Sequence, residues 1–115
     1  MRVKRGVKAR RRRNKLLKVA KGFRGRSKNT IRQARARLEK AMAYSYVGRK
    51  IKKRDFRSLW ISRINAAARL NGLSYSRFMD GLNKSNIELN RKVLADLGAK
   101  EPKVFEALAQ LAKQD

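Results

Sequence analysis

The sequence predicts an all-α protein, a long basic N-terminal helical extension followed by a small C-terminal helical bundle. Apolar residues recur at i, i+3, i+4 and i+7 from about residue 30 onward, the spacing that lines one face of a helix. Residues able to cap or stop a helix fall at the ends of these stripes, Ser74, Asn90, Gly72 and Gly98 among them. Charge is divided unevenly: residues 1 to 69 hold 26 Lys or Arg against Glu39 and Asp55 alone, whereas residues 70 to 115 hold 7 basic and 6 acidic side chains. The first part nets +24 and the second +1, so a self-repelling arm and a near-neutral folded module stand in series. The arm is placed at 1 to 54 and the compact helical domain at 55 to 115.

The arm begins with Arg2, Lys4, Arg5 and Lys8 and then "ARRRRNK", 9 to 15, which sets Arg10, Arg11, Arg12, Arg13 and Lys15 within seven positions. These charges repel in the free chain, but each phosphate contact releases condensed counterions and favours binding. Arginine adds a planar fork that bridges phosphate oxygens and stacks on exposed bases. Beyond them, Leu16, Leu17, Val19 and Ala20, beside Lys18, suggest a short helix formed on contact with the partner.

"KGFRGR", 21 to 26, places Phe23 between Gly22 and Gly25, with Lys21, Arg24 and Arg26 around it. Two glycines make a joint at which backbone can approach phosphate closely. The ring then either stacks on a base or packs between the flanking helices, and the pattern leaves both open. Tyr44 and Tyr46 are ambiguous in the same way.

Ser27 to Thr30 offer N-cap residues, and Ile31, Ala34, Leu38, Ala41 and Met42 carry an apolar stripe onward, with Lys28, Arg32 and Arg35 as the local cations. Only Gly48 interrupts. A helical interior glycine costs about 1 kcal/mol against alanine, which weakens without forbidding one helix from about 30 to 71, on the order of 60 Å long. Within "GRKIKKRDF", 48 to 56, Arg49, Lys50, Lys52, Lys53 and Arg54 stand at 100° steps and surround the helix. A helix in a DNA major groove presents one side to the duplex. Charge all round suits enclosure by several phosphate strands, as in folded RNA.

The stretch 55 to 72 anchors the module: Phe56, Trp60, Ile64, Ala67 and Ala68 share one face and Gly72 can end the helix. Trp60 is read as core rather than as a base-stacking residue. Of the basic residues here, Arg57 is assigned to RNA. Arg57, Arg63 and Arg69 lie six apart and form no strict stripe, so some would face RNA while others pair with the module's acids.

Three short helices follow. Ser74 caps a first, with Tyr75, Phe78, Met79 and Leu82 inward; Asn90 caps a second, with Val93, Leu94 and Leu97 inward and Gly98 as its left-handed stop. Pro102 suits the first turn of the last, where Phe105, Leu108, Ala109, Leu111 and Ala112 give an amphipathic face. These three alone fall in the size range where burial barely offsets chain entropy, so the segment at 55 to 72 must complete the core.

The composition excludes much. With no Cys and no His, disulfides, thiolate nucleophiles, the common zinc sites and the usual neutral-pH general base are absent. Glu88, Asp96, Glu101 and Glu106 form no pair beside a nucleophile, so no enzyme, metal, cofactor or small-molecule substrate is expected. No apolar run approaches the roughly 20 residues of a membrane span, and the N-terminus lacks the apolar centre of a secretory signal. The expectation is a soluble intracellular protein with no membrane partner.

The residues "KRDFRSLWISRINAAARLNGLSYSRFMDGL", 53 to 82, closely resemble the bacterial large-subunit ribosomal protein family numbered twenty. Lys53, Arg57, Leu59, Trp60, Ile61, Ser62, Arg63, Ile64, Asn65 and Arg69 fit its pattern, and "RVKRG" at 2 to 6, "AKGFRG" at 20 to 25 and "NRKVLADL" at 90 to 97 resemble its other segments. The family commonly carries a charged residue where this chain has Gly48, which makes a kink there an expectation. The resemblance implies a basic extension threaded through large-subunit ribosomal RNA and a helical domain on the particle surface. It also implies neighbouring ribosomal proteins as partners, a cytoplasmic ribosomal location, an early role in subunit assembly, and repression of its own mRNA in some members.

The expected function is therefore a structural constituent of the large subunit that binds 23S-type rRNA. The alternative is a nucleoid or linker-histone-like DNA-binding protein, which the same charge permits. Against it stand the single Pro and the charge surrounding a helix. A membrane-active cationic helix would need a broad apolar face, and residues 49 to 54 offer only Ile51.

Overall fold

The computed structural model describes Arg2 and residues 4 to 114. Val3, part of the "RVKRG" resemblance, lies outside the described residues. Among them are five α-helices and no strand: α1 Gly6–Val19, α2 Ile31–Leu70, α3 Tyr75–Lys84, α4 Arg91–Lys100 and α5 Pro102–Lys113, with a 3₁₀ turn at Gly25–Lys28 between the first two. Packing divides the chain into two units, Met1–Lys50 and Ile51–Asp115.

In the first unit, α1 begins ten residues before Leu16 and takes in all four consecutive arginines. It has no side-chain cap and no acidic residue in its first turn. Of the stripe expected on α2, Ala34 is fully buried, Leu38 and Ala41 are half-buried, and Met42 is exposed. The fully buried apolar side chains of this unit, among the described residues, are Ala20 and Ala34. Two methyl groups contribute about 0.8 kcal/mol each, little against the backbone entropy of ordering even a few residues.

Gly48 sits inside α2 with nothing within 4 Å of where a Cβ would stand, and the helix continues through it. A glycine here costs propensity only, because the hydrogen-bond ladder needs no side chain.

The second unit has a true core. Ile64, Ala67 and Ala68 of α2 join Phe78 and Leu82 of α3, Leu94 and Ala95 of α4, and Phe105, Ala109 and Ala112 of α5. The Phe78 and Phe105 rings stack with centroids 4.8 Å apart. Trp60 and Leu108 pack on the rim of this cluster, half-buried.

Helix ends follow their residues. Gly72, at φ +78°, ends α2: its N–H donates to the Arg69 carbonyl at 3.0 Å and that of Leu73 donates to Ala68 at 2.9 Å. The same pair of bonds ends α3, where Asn86 takes the left-handed position at φ 54° and Ile87 N–H reaches back to Leu82. Ser74 and Asn90 cap α3 and α4, accepting from Arg77 N–H at 3.4 Å and Val93 N–H at 2.9 Å.

Several expectations need correction. Gly98 is no helix stop: α4 continues to Lys100, and a Cβ on Gly98 would lie 3.0 Å from that of Ala67 and 3.4 Å from the Phe105 ring. Its role is close approach, and the turn is made at Glu101 before Pro102, since a residue preceding proline disfavours helix. Phe56 is 44% exposed and so is not core; it lies one turn before Trp60, with ring centroids 6.1 Å apart. Val93 and Leu111, expected inward, are 40% and 43% exposed, because alanines at 95, 109 and 112 fill the closer contacts.

Candidate nucleic-acid interface

Helical geometry decides how the extension displays its charge. Arg10 to Arg13 occupy four successive positions of α1, about 100° apart, so they spread around the whole circumference instead of forming a stripe. All four are exposed, as are Arg2, Lys4, Arg5, Lys8, Lys15, Lys18 and Lys21. The first acid in the sequence is Glu39, so α1 has no carboxylate of its own region to neutralise it.

Between the helices the backbone makes a defined turn. Gly22 at φ +90° and Gly25 at φ +63° both adopt the left-handed region, and the Phe23 N–H donates to the Ala20 carbonyl at 3.1 Å. Phe23 is thereby held half-buried between Gly22 and Gly25, while Arg24, Arg26 and Lys28 are exposed. Phe23 and Arg24, with Ser27, face Arg37, Lys40, Ala41 and Tyr44 of α2 across one hollow. A second hollow joins Ala9, Arg12, Arg13 and Leu16 of α1 to Ile31 and Arg35 of α2. Arg32 is exposed beside it.

Further along α2 every residue is exposed, from 43 to 50 in the first unit and from 51 to 59 in the second. Arg49, Lys50, Lys52, Lys53, Arg54 and Arg57 all stand in this stretch. Some lean on their own helix: the Arg49 guanidinium donates to Ser45 Oγ at 2.7 Å, Lys50 lies 5.3 Å over the Tyr46 ring and Lys52 lies 6.0 Å over Phe56. Such contacts pre-orient long side chains and leave the cations reachable by phosphate.

Beyond Arg57, some polar groups of the second unit are used internally. Among the described residues the ion pairs are Lys84 with Asp80 at 3.0 Å and Lys100 with Asp96 at 3.7 Å, both exposed helix-face pairs. Two of the module's acids, Asp80 and Asp96, thus pair with lysines, and among the described residues no acid pairs with the arginines at 57, 63 and 69. Arg69 donates to Asn65 Oδ1 at 3.4 Å, and Arg91 donates to the Tyr75 hydroxyl at 2.8 Å.

Among the described residues no polar or charged side chain is buried, and no three His, Cys, Asp or Glu come together. No helix is long and apolar enough to cross a membrane. What the arrangement offers chemically is a dense, exposed array of fixed positive charge with aromatic rings beside it.

Arg37 and Lys40 are absent from the set read from the sequence. Their spacing with Tyr44, at i, i+3 and i+7, places them on one face, but only the fold of the glycine joint turns Phe23 toward that face.

A family model described as "Ribosomal protein L20" matches residues 2–108 of this chain. Among curated proteins, the "Large ribosomal subunit protein bL20" of Geobacter sulfurreducens is 59% identical over 112 residues, covering 97% of this chain and 96% of the relative. The protein of the same name from Afipia carboxidovorans is 60% identical, covering 97% and 94%, and that from Pelobacter propionicus 58%, covering 97% and 96%.

Proposed function

The chain belongs to the ribosomal protein L20 family, and from that membership and the geometry above we propose that it is a structural constituent of the large ribosomal subunit that binds 23S-type rRNA directly. The family is one of ribosomal structural proteins and not of enzymes. Its place is the ribosome, in the bacterial cytoplasm, among rRNA and neighbouring ribosomal proteins.

The observation that carries the RNA reading is charge without a preferred side. Arg10 to Arg13 surround α1, and the cations from Arg49 to Arg54 surround an exposed length of α2, with Asp55 the only acid nearby. A single duplex groove satisfies one face of such a helix and leaves the other charges self-repelling in water. Several RNA strands brought together satisfy all of them, and in doing so the protein holds those strands at a fixed spacing. Early subunit assembly is the step at which that effect counts, because strands clamped at the outset limit the folds open to the rest of the RNA. Peptide-bond chemistry plays no part in this role.

Binding to its own mRNA, and so translational autorepression, extends the same reading. Arg57 and Arg63 of the second unit are exposed and remain available to a structured transcript.

Competition binding at a stated moderate salt concentration tests the proposal. Folded large-subunit rRNA should displace the protein from duplex DNA and from anionic vesicles. Equal affinity for duplex DNA would favour the nucleoid-type alternative instead.

A further inference from the structure

We propose that the hollow between the glycine joint and α2 is a receptor for one unpaired RNA base, stacked against Phe23 and Tyr44, with the adjoining phosphates held by Arg24, Arg37 and Lys40. This deepens the rRNA-binding reading above and rests on it.

The hollow is built by backbone, not by chance side-chain placement. Left-handed glycines on both sides of Phe23, and the bond from its N–H to the Ala20 carbonyl, fix where the ring stands. A residue other than glycine at either position would meet the steric cost of the left-handed region. Opposite, Arg37, Lys40 and Tyr44 share one face of α2, and Lys40 lies 5.5 Å over the Tyr44 ring.

The rings are placed for a ligand more than for a core. Tyr44 is 64% exposed and Phe23 only half-buried, while the fully buried apolar groups of this unit, among the described residues, are the small side chains Ala20 and Ala34. An aromatic pair left open beside three cations and no acid matches a nucleotide in both parts, a flat π-face and a flanking negative charge. A fully paired helix offers no free base face, so the occupant is a nucleotide turned out of a loop, bulge or junction.

The test uses the full chain bound to a transcript of large-subunit rRNA. Zero-length ultraviolet crosslinking followed by mass spectrometry should give a nucleotide adduct on Phe23 or Tyr44, formed with a residue that is unpaired in the transcript. Phe23→Leu combined with Tyr44→Leu should weaken binding roughly tenfold, within the range for losing one stacked base, and leave the salt dependence unchanged. Lys40→Gln should lower the salt slope by about one phosphate's worth. Bound wild-type protein that yields no adduct on either ring overturns the site, as does a double variant with wild-type circular dichroism and wild-type affinity. A wild-type chain that does not prefer the transcript to duplex DNA overturns the rRNA reading itself, and the base site with it.

Discussion

Gly81 of α3 and Ala112 of α5 touch backbone to backbone: a Cβ added to Gly81 would lie 2.7 Å from the Cα of Ala112 and clash with its carbonyl oxygen. Both residues are buried, so the crossing of these two helices is set by the absence of a side chain. The stacked Phe78 and Phe105 rings lie on the same two helices.

Gly81→Ala should therefore destabilise the protein by about 1–3 kcal/mol, the cost of forcing extra volume into a packed contact. Gly48→Ala, where a Cβ meets nothing, should instead stabilise α2 by up to about 1 kcal/mol. Thermal melts followed by circular dichroism should move in opposite directions for the two variants. A downward shift for both would mean that Gly48 has a packing role.

Phe105→Ala should cost about 3–5 kcal/mol, because it empties a fully buried site and removes the stack with Phe78. Phe56→Ala, at a 44% exposed position, should cost under about 1 kcal/mol. Trp60→Ala, half-buried on the rim, should fall between them. Denaturant midpoints rank the three.

Replacing Arg10 to Arg13 with glutamines should weaken rRNA association and lower the slope of log affinity against log salt by up to about 0.7–0.9 for each phosphate left without its cation. The melting temperature of the free protein should hardly change, since none of the four is buried. An unchanged salt slope would remove these arginines from the interface.

A peptide of residues 1 to 54 should show little stable helix alone in water and gain helix on adding rRNA. Burial within Met1–Lys50 is too slight to hold α1 against the repulsion of its own charges, and counterion release supplies what burial does not. Circular dichroism with and without a transcript measures this. A fully helical free peptide would show that propensity alone orders the segment.

Most of the helical architecture was legible in the residues. Period 3.6 located α2 through α5, Ser74 and Asn90 marked two starts, and Gly72 marked one end. Gly98 misled because a glycine near the end of an apolar stripe has two uses, a left-handed stop or close approach, and only the neighbour distinguishes them; here Ala67 lies 3.0 Å away. Phe56 misled for a similar reason. It shares a helical face with Trp60 and Ile64, but a helix extends past the end of its core, and the stripe does not say where the covering helices stop.

The exposure of the basic side chains was likewise legible as a class, since no acid precedes Glu39 and uncompensated charge stays in solvent. The hollow at Phe23 was not legible. Composition and helical period are local properties, carried by neighbours a few residues apart, so by itself the sequence determined which segments are helical, where the caps at Ser74, Asn90 and Gly72 fall, and that its charge calls for a polyanionic partner. The facing of Phe23 onto Arg37, Lys40 and Tyr44, and the Gly81 contact with Ala112, join residues far apart in the chain. Only the tertiary structure decided them, because such contacts depend on the directions two backbone segments take after a turn.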